Sequence, residues 1–391
     1  MRVIFFSNYL NHHQLPFCLA MDRLTNGHFT FVATAPVPQA RLTLGYHDMN
    51  KEYPFVLTTY DSEENKAFAM ALALNSDVAI IGSAPWTYAQ KRMKQNKLTF
   101  CYTERLFKKG LHKALSPKTM INQLIHHTCY ANKPLYMLCA SAYAAFDFAL
   151  SGAYVGKTYK WGYFPELKKQ EADQLFARKQ AKKTVSILWV ARLIELKHPE
   201  VPIQIAEKLK AEGYTFEVNI IGRGPMEKEL QEMISRKRLD DCVHMLGAMS
   251  PENVREQMEM ADIFLFTSDF NEGWGAVLNE AMNSGCAVVA SHAIGSVPFL
   301  LEDGKNGFIY KNGDTDSLYK RVVQLIKQPQ LREQMGNAAY HTLEDLWNAD
   351  MAAERLIELA QALLDGKSTK LFADGPCSKA RILSNWWYRN A

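Results

Sequence analysis

The chain has 391 residues, 48% hydrophobic and 22% charged, enough for two ordinary domains that each bury a core. That balance excludes a disordered or low-complexity chain, and no apolar run approaches the length of a bilayer-spanning helix. The net charge of +4 hides an asymmetry: residues 1–170 hold 19 Lys and Arg against 10 Asp and Glu, whereas the remainder holds 26 against 31.

The opening "MRVIFFSNYLNHHQ" suits a first buried strand better than a signal peptide. Further strands are expected at "FTFVAT", "DVAIIGS" and "LTFCYT", with helices over Gln14 to Leu24 and Glu63 to Leu74. Strands alternating with helices predict a parallel sheet covered on both faces. Residues 91–118 carry nine basic residues and one acidic. They are a candidate contact with an anionic membrane surface or a phosphate-bearing acceptor, the plainer alternative being a solvated helix face. Nucleic acid is not expected, because the aromatic-interleaved motifs of RNA modules are absent. Seven cysteines, without CxxC pairs, read as reduced thiols of a cytoplasmic protein.

From Gly156 to Lys183 the apolar rhythm stops, and the linker is placed at 166–183, after a first domain over 1–165. The rhythm restarts with "TVSILWVAR", "FEVNIIGRG", "VHMLGAM", "DIFLFTS", "CAVVAS" and "GFIY", separated by helical stretches such as Pro199 to Glu212 and Pro225 to Arg238. This predicts a second doubly wound α/β domain over 184–350, followed by a C-terminal helix and tail, 351–391, packing back on the first domain. The aromatic tail "ILSNWWYRN" is expected to dock there or to touch lipid headgroups.

In doubly wound folds ligands bind beyond the carboxyl ends of the strands. After "ILWV" come Arg192 and Lys197; after "VNII" come Gly222 and Gly224, read as letting backbone approach a ligand. After "IFLFTS" comes "NEGWGAVLNEAM", with Glu272 in a loop and Glu280 inside a helix whose first amides lie near Gly275, Ala276 and Val277. Such amides favour an anion, and Gly273 and Gly275 are read as keeping side chains clear of it. A helix dipole contributes only about 0.3–1 kcal/mol, whereas charge-assisted hydrogen bonds from Arg192 and Lys197 contribute roughly 1.5–3 kcal/mol each, so the cations should dominate. The residues therefore suggest a diphosphate flanked by two carboxylates, Glu280 toward a ribose and Glu272 toward a sugar. Paired histidines, His12-His13 and His126-His127, lack partners at metal-ligand spacing, and "DTD" at Asp314 to Asp316 reads as a helix N-cap, so neither metal nor cofactor is expected.

At these residues the sequence resembles the retaining glycosyltransferases of family 4, which have the GT-B fold: two Rossmann-like domains facing across a cleft. Their E-x7-E signature matches Glu272 and Glu280, and the resemblance extends over most of Thr184 to Tyr310, with Trp274 where a smaller aromatic is usual. It implies that Arg192 and Lys197 bind the diphosphate of a nucleotide sugar, with a UDP-sugar favoured. It also implies that backbone around Gly247 to Met249 borders the base, that Glu280 holds the ribose, and that Glu272 works beside the sugar. Metal-independent, configuration-retaining transfer to a glycan or lipid-linked acceptor follows from it. "NHHQLP" and "ERLFKKG" resemble a bacterial subset that builds capsular and other surface polysaccharides. Where many members have a His after the strand "TFCYT", this chain has Thr103, Glu104 and Arg105, so His12, His13 and Glu104 are the candidate contacts to sugar or acceptor. The alternatives are a sugar-nucleotide epimerase or phosphorylase of the same architecture and a non-catalytic nucleotide-sugar-binding subunit.

Overall fold

A computed structural model describes residues 1–39, 42, 47–108, 110–169, 172–180, 184–367 and 370–388. The chain forms two units, 1–166 with 347–384 and 167–346 with 385–391.

The first unit is built on β1 (Val3–Ser7), β2 (Phe29–Ala33), β3 (Val56–Thr58), β4 (Val78–Ile81), β5 (Thr99–Thr103), β6 (Leu135–Cys139) and β7 (Thr158–Lys160). All pair in parallel in the order β3-β2-β1-β4-β5-β6-β7, with Val3 beside both Phe29 and Val78. Both faces of β1 are apolar, as a sheet covered on both sides requires. Ile4 and Phe6 join Val32, Ala79 and Ile81 in one core, while Phe5 packs edge-on against Phe17, Phe31 and Tyr102 on the other face. The exposed edge of β7 is closed by the C-terminal segment: Lys160 donates to Ser378 O, and Cys377 and Ala380 donate back to Lys160 O and Thr158 O. Covering an edge in this way removes a template for unwanted pairing. Helix Ala349–Leu364 belongs to this unit, tied to helix Leu15–Leu24 by an Arg23–Asp350 ion pair of 2.8 Å.

The second unit contains β8 (Val185–Val190), β9 (Phe216–Ile221), β10 (Val243–Gly247), β11 (Ile263–Phe266), β12 (Ala287–Ser291) and β13 (Phe308–Tyr310), all parallel in the order β10-β9-β8-β11-β12-β13. Its core gathers Ile187, Trp189, Val218, Ile220, Ile263 and Leu265 from the central strands. The tail departs from expectation. The aromatic end belongs to this unit: Tyr388 Oη donates to Ile309 O at 2.6 Å, and Asn385 O lies 3.3 Å from His292 Nε2. The Ile309 carbonyl on β13 and an imidazole after β12 give the tail polar anchors here, and Trp386 stays exposed.

The basic stretch 91–118 is also not one solvated face. Arg92 is fully buried, its guanidinium donating to the carbonyls of Ser76 and Asp77 at the end of helix Glu63–Asn75, where a cation offsets the unpaired carbonyls. Burial lowers its pKa to about 10. Arg105 is sealed against Asp147 with neither side chain exposed. Among the described residues no helix is long and apolar enough to cross a membrane.

Candidate functional site

Strand order reverses in the second sheet between β8 and β11, the switch point where two neighbouring loops splay and leave room for a ligand. The loop after β8 holds the exposed Arg192 and then a single 3-10 turn, Glu195–Lys197, ended by His198 in a left-handed conformation (φ 52°). Thr267, just past β11, fixes this turn: its hydroxyl donates to Lys197 O at 2.6 Å and accepts from Trp189 Nε1 at 2.8 Å. The facing loop folds onto Asp269, whose amide donates to Leu196 O at 3.0 Å; its carboxylate accepts the Asn271 amide at 2.8 Å, and its carbonyl accepts the Glu272 amide at 3.1 Å. The consequence is an ion pair between Lys197 Nζ and the Glu272 carboxylate, with side chains 14% and 13% exposed. The pair is desolvated enough to be strong and open enough to meet a ligand.

His198, Glu200 and Asp269 surround this pair, and sequence reasoning did not single them out. His198 Nδ1 lies 2.9 Å from Glu200 Oε1, and Nε2 lies 3.7 Å from Asp269 Oδ2. Asp269 first and Glu200 second raise the imidazole pKa to about 9, so it carries a positive charge beside Lys197 at neutral pH. Burial works against the Asp269 carboxylate, but hydrogen bonds from His198 and Asn271 leave its pKa lowered. Their signal was weak: "KHPE" and "SDFNE" are seventy residues apart and each reads as an ordinary turn.

Glu280 lies half-buried on helix Val277–Asn283, eight residues beyond Glu272. Burial raises its pKa, and the nearby Arg255 opposes that rise. Arg255 also donates to Glu280 O at 2.8 Å and to the Asn283 side chain, which fixes the helix. This helix has only seven residues, and its start at Ala276 and Val277 leaves those amides outside its ladder.

Packing within the second unit accounts for three glycines and for Trp274. A Cβ on Gly222 (φ 147°) would lie 1.8 Å from Ala191 O, and one on Gly224 would lie 2.3 Å from Leu193 O. The neighbouring loop alone therefore requires glycine at both positions. Gly275 (φ 80°) is likewise forced, because its Cβ would meet the Phe266 ring at 2.4 Å. Trp274 is fully buried, with Nε1 donating to Asn279 Oδ1 at 2.9 Å, so its indole supports the turn and offers no face to a donor. Gly273 is buried beside it, whereas Gly247, which ends β10 and whose carbonyl accepts the Gly222 amide at 2.8 Å, and Met249 just beyond are half-buried.

The first sheet reverses between β1 and β4, and there a cavity of about 600 Å³ opens. His13 and Glu104 both line it. The His13 ring is parallel to that of Tyr163 at 5.9 Å, and Tyr163 Oη donates to Glu104 at 2.7 Å while Lys108 pairs with the other carboxylate oxygen. His12 stands beside them, its ring 3.8 Å from that of His13. His127, which sequence reasoning weighed only as a metal ligand, also lines the wall. Its Nδ1 lies 2.7 Å from Tyr154 Oη, and burial, with His126 second, lowers its pKa to about 4, so it is neutral. Among the described residues, one trio that could converge on a metal is His341, Glu344 and Asp345 on helix Pro329–Asp345, outside both clusters. Asp314 is an N-cap, accepting the Ser317 amide at 2.8 Å.

Residues 171–342 match the family described as glycosyl transferases group 1. The amylovoran biosynthesis glycosyltransferase AmsK of Erwinia amylovora is 34% identical over 182 residues, 45% of this chain and 44% of that protein. The putative colanic acid biosynthesis glycosyltransferase WcaL of Salmonella typhimurium is 34% identical over 145 residues, 36% of each. The chain thus spans less than half the length of these curated relatives. Among solved structures, Anabaena Alr3699/HepE in complex with UDP aligns over 93% of this chain and 100% of its own at TM-score 0.68 and 17% identity. A glycosyltransferase from Rickettsia africae aligns over 94% and 99% at TM-score 0.67 and 13% identity. Likeness at that identity establishes the fold, GT-B with two Rossmann-like domains.

Proposed function

We propose, from the premise that this chain carries a glycosyl transferase group 1 domain over residues 171–342, that it is a retaining glycosyltransferase. It moves a sugar from a nucleotide-sugar donor, with a UDP-sugar favoured, to a glycan or lipid-linked acceptor in bacterial surface polysaccharide synthesis. The observation that carries this reading is the Lys197–Glu272 pair at the switch point of the second sheet, with Glu280 following at the spacing of the signature. UDP in the Anabaena structure supports the choice of base, and the amylovoran and colanic acid names of the relatives support the pathway class.

In this reading the donor diphosphate takes Glu272's place as partner of Lys197, with Arg192 and the Ala276 and Val277 amides beside it. The bond from anomeric carbon to phosphate oxygen breaks, and these donors stabilise the charge that develops on the leaving diphosphate, usually the largest catalytic contribution. The freed Glu272 carboxylate orients sugar hydroxyls, and Glu280 accepts hydrogen bonds from the ribose. The acceptor oxygen attacks from the leaving-group face, its proton passing to a diphosphate oxygen, so configuration is retained. Fixed cations supply the charge that a divalent metal supplies elsewhere, and the reaction proceeds without one. His13 and Glu104 contact the acceptor, and the enzyme works in the cytoplasm, peripherally at the membrane through exposed lysines of the 91–118 stretch. The test is UDP release from a panel of UDP-sugars in excess EDTA, with NMR of the anomeric proton before mutarotation. Release with retained configuration is expected; inversion, or no release from any donor, would overturn the reading.

A further inference from the structure

Helix Pro117–His126 buries Gln123, which is 2% exposed, while its Ile121 and Ile125 face solvent. Glutamine is mostly a surface residue and isoleucine mostly a core one, so the choice needs a cause. Hydrogen bonding within the fold is not that cause: among the described residues, Gln123 Oε1 is buried without a partner. Buried polar atoms in native proteins are rarely left so. Trp86 repeats the pattern with the opposite polarity, its Nε1 also buried without a partner. Both side chains line the cavity of about 600 Å³ that holds His13 and Glu104.

His127 links the two. Its amide donates to Gln123 O at 2.9 Å, so the two side chains stand one helical turn apart, and its ring centre lies 4.7 Å from that of Trp86 and 5.0 Å from that of Phe148. His127 and Phe148 line the same cavity. Tyr154 Oη lies 2.7 Å from His127 Nδ1, and burial keeps the imidazole neutral. These four residues therefore offer one donor, one acceptor and aromatic surface, and none is charged at neutral pH. An ammonium or carboxylate would lose its hydration here without a counter-charge. A hydroxyl meets the donor and the acceptor but has nothing to lay on the rings. A secondary acetamide has an N–H, a carbonyl and a methyl group. We propose that Trp86 and Gln123 form a subsite for the acetamido group of an N-acetylated amino sugar in the acceptor. The amide N–H donates to Gln123 Oε1, the carbonyl accepts from Trp86 Nε1, and the methyl lies against the rings of Phe148 and His127. Side-chain rotations of the kind common on binding present the two atoms to the ligand. This rests on the transferase reading and makes Trp86 and Gln123 determinants of which sugar is recognised.

The test uses the full chain and saturation-transfer NMR with the methyl glycosides of N-acetylglucosamine and N-acetylgalactosamine, compared with those of glucose and galactose. A subsite built on hydrogen bonds rejects an analogue that lacks them, so the acetamido glycosides should bind about tenfold tighter or more. Their acetyl methyl should be the most strongly saturated group. Trp86→Phe, which removes the donor, and Gln123→Leu, which removes the acceptor, should each abolish that preference. Gln123→Leu replaces an unpaired oxygen at similar bulk and should melt no lower than wild type; a lower melting temperature would show the amide partnered within the fold and overturn the proposal. Equal binding of the two sets of glycosides, or a preference that survives Gln123→Leu, would do the same. A preference for UDP-N-acetylglucosamine over UDP-glucose with none among the glycosides would overturn it in favour of a donor-sugar subsite. UDP stabilisation of wild type reports the transferase reading separately: its absence sinks that reading whatever the glycosides do.

Discussion

Each unit sets an ion pair beyond its strands, and the two pairs differ in exposure. Arg105 and Asp147 in the first unit are wholly sealed, with the Phe107 amide donating to Asp147 at 2.9 Å and the guanidinium lying 4.8 Å from the Tyr143 ring centre. Lys197 and Glu272 in the second unit remain 14% and 13% exposed. A sealed pair cannot exchange its partner, so it is architecture; a pair at a rim can give up its carboxylate for a phosphate. On the proposed reading, exposure rather than residue type separates the structural pair from the one that meets the donor.

The largest effect expected is on the sealed pair. Asp147→Ala leaves the Arg105 charge uncompensated and should cost roughly 3–5 kcal/mol, read from urea unfolding of the first unit. Burial pushes the Asp147 carboxyl upward more than Arg105 pulls it down. UDP affinity of whatever remains folded should be unchanged. Loss of UDP binding without loss of stability would erase the distinction between the pairs.

A smaller effect sharpens the binding side. Glu280→Ala removes hydrogen bonds from a charged acceptor, worth about 1.5–3 kcal/mol, and should weaken nucleotide affinity by that amount with little change in stability. Smallest is a pH effect at His198. Its pKa is raised from 6.5 to about 9 by Asp269 and Glu200, so the folded state holds the proton more tightly than the unfolded chain. The stability this adds is fully present below pH 6.5 and is lost as pH rises through about 9. The melting-temperature advantage of wild type over His198→Ala should fade over that range. An advantage constant to pH 10 would deny the charged imidazole its role.

Much of the fold was legible where strands are central. "SILWV", "IFLF" and "AVVAS" are continuous apolar runs because parallel strands are covered on both faces. Three strands of the first sheet escaped. β3 and β7 have three residues each at the sheet edges, and β7 lies within the polar stretch that opens at Gly156. β6 runs into an apolar tract continuing to Ala149, where strand and helix meet without a polar break. In the second unit Lys197 and Glu272 stood out in the sequence as charged residues past strand ends, and the structure pairs them. What sequence could not give was what a glycine's missing Cβ would strike, or which way Trp274 and Arg92 point, since those depend on residues distant in the chain.

The most direct test of the central claim is isothermal titration of UDP into wild type and Lys197→Ala, both in excess EDTA. The account predicts metal-free binding by wild type, weakened at least tenfold by Lys197→Ala, with the variant still folded by circular dichroism at the titration temperature. Binding that vanishes with EDTA, or that is the same in both proteins, would contradict it.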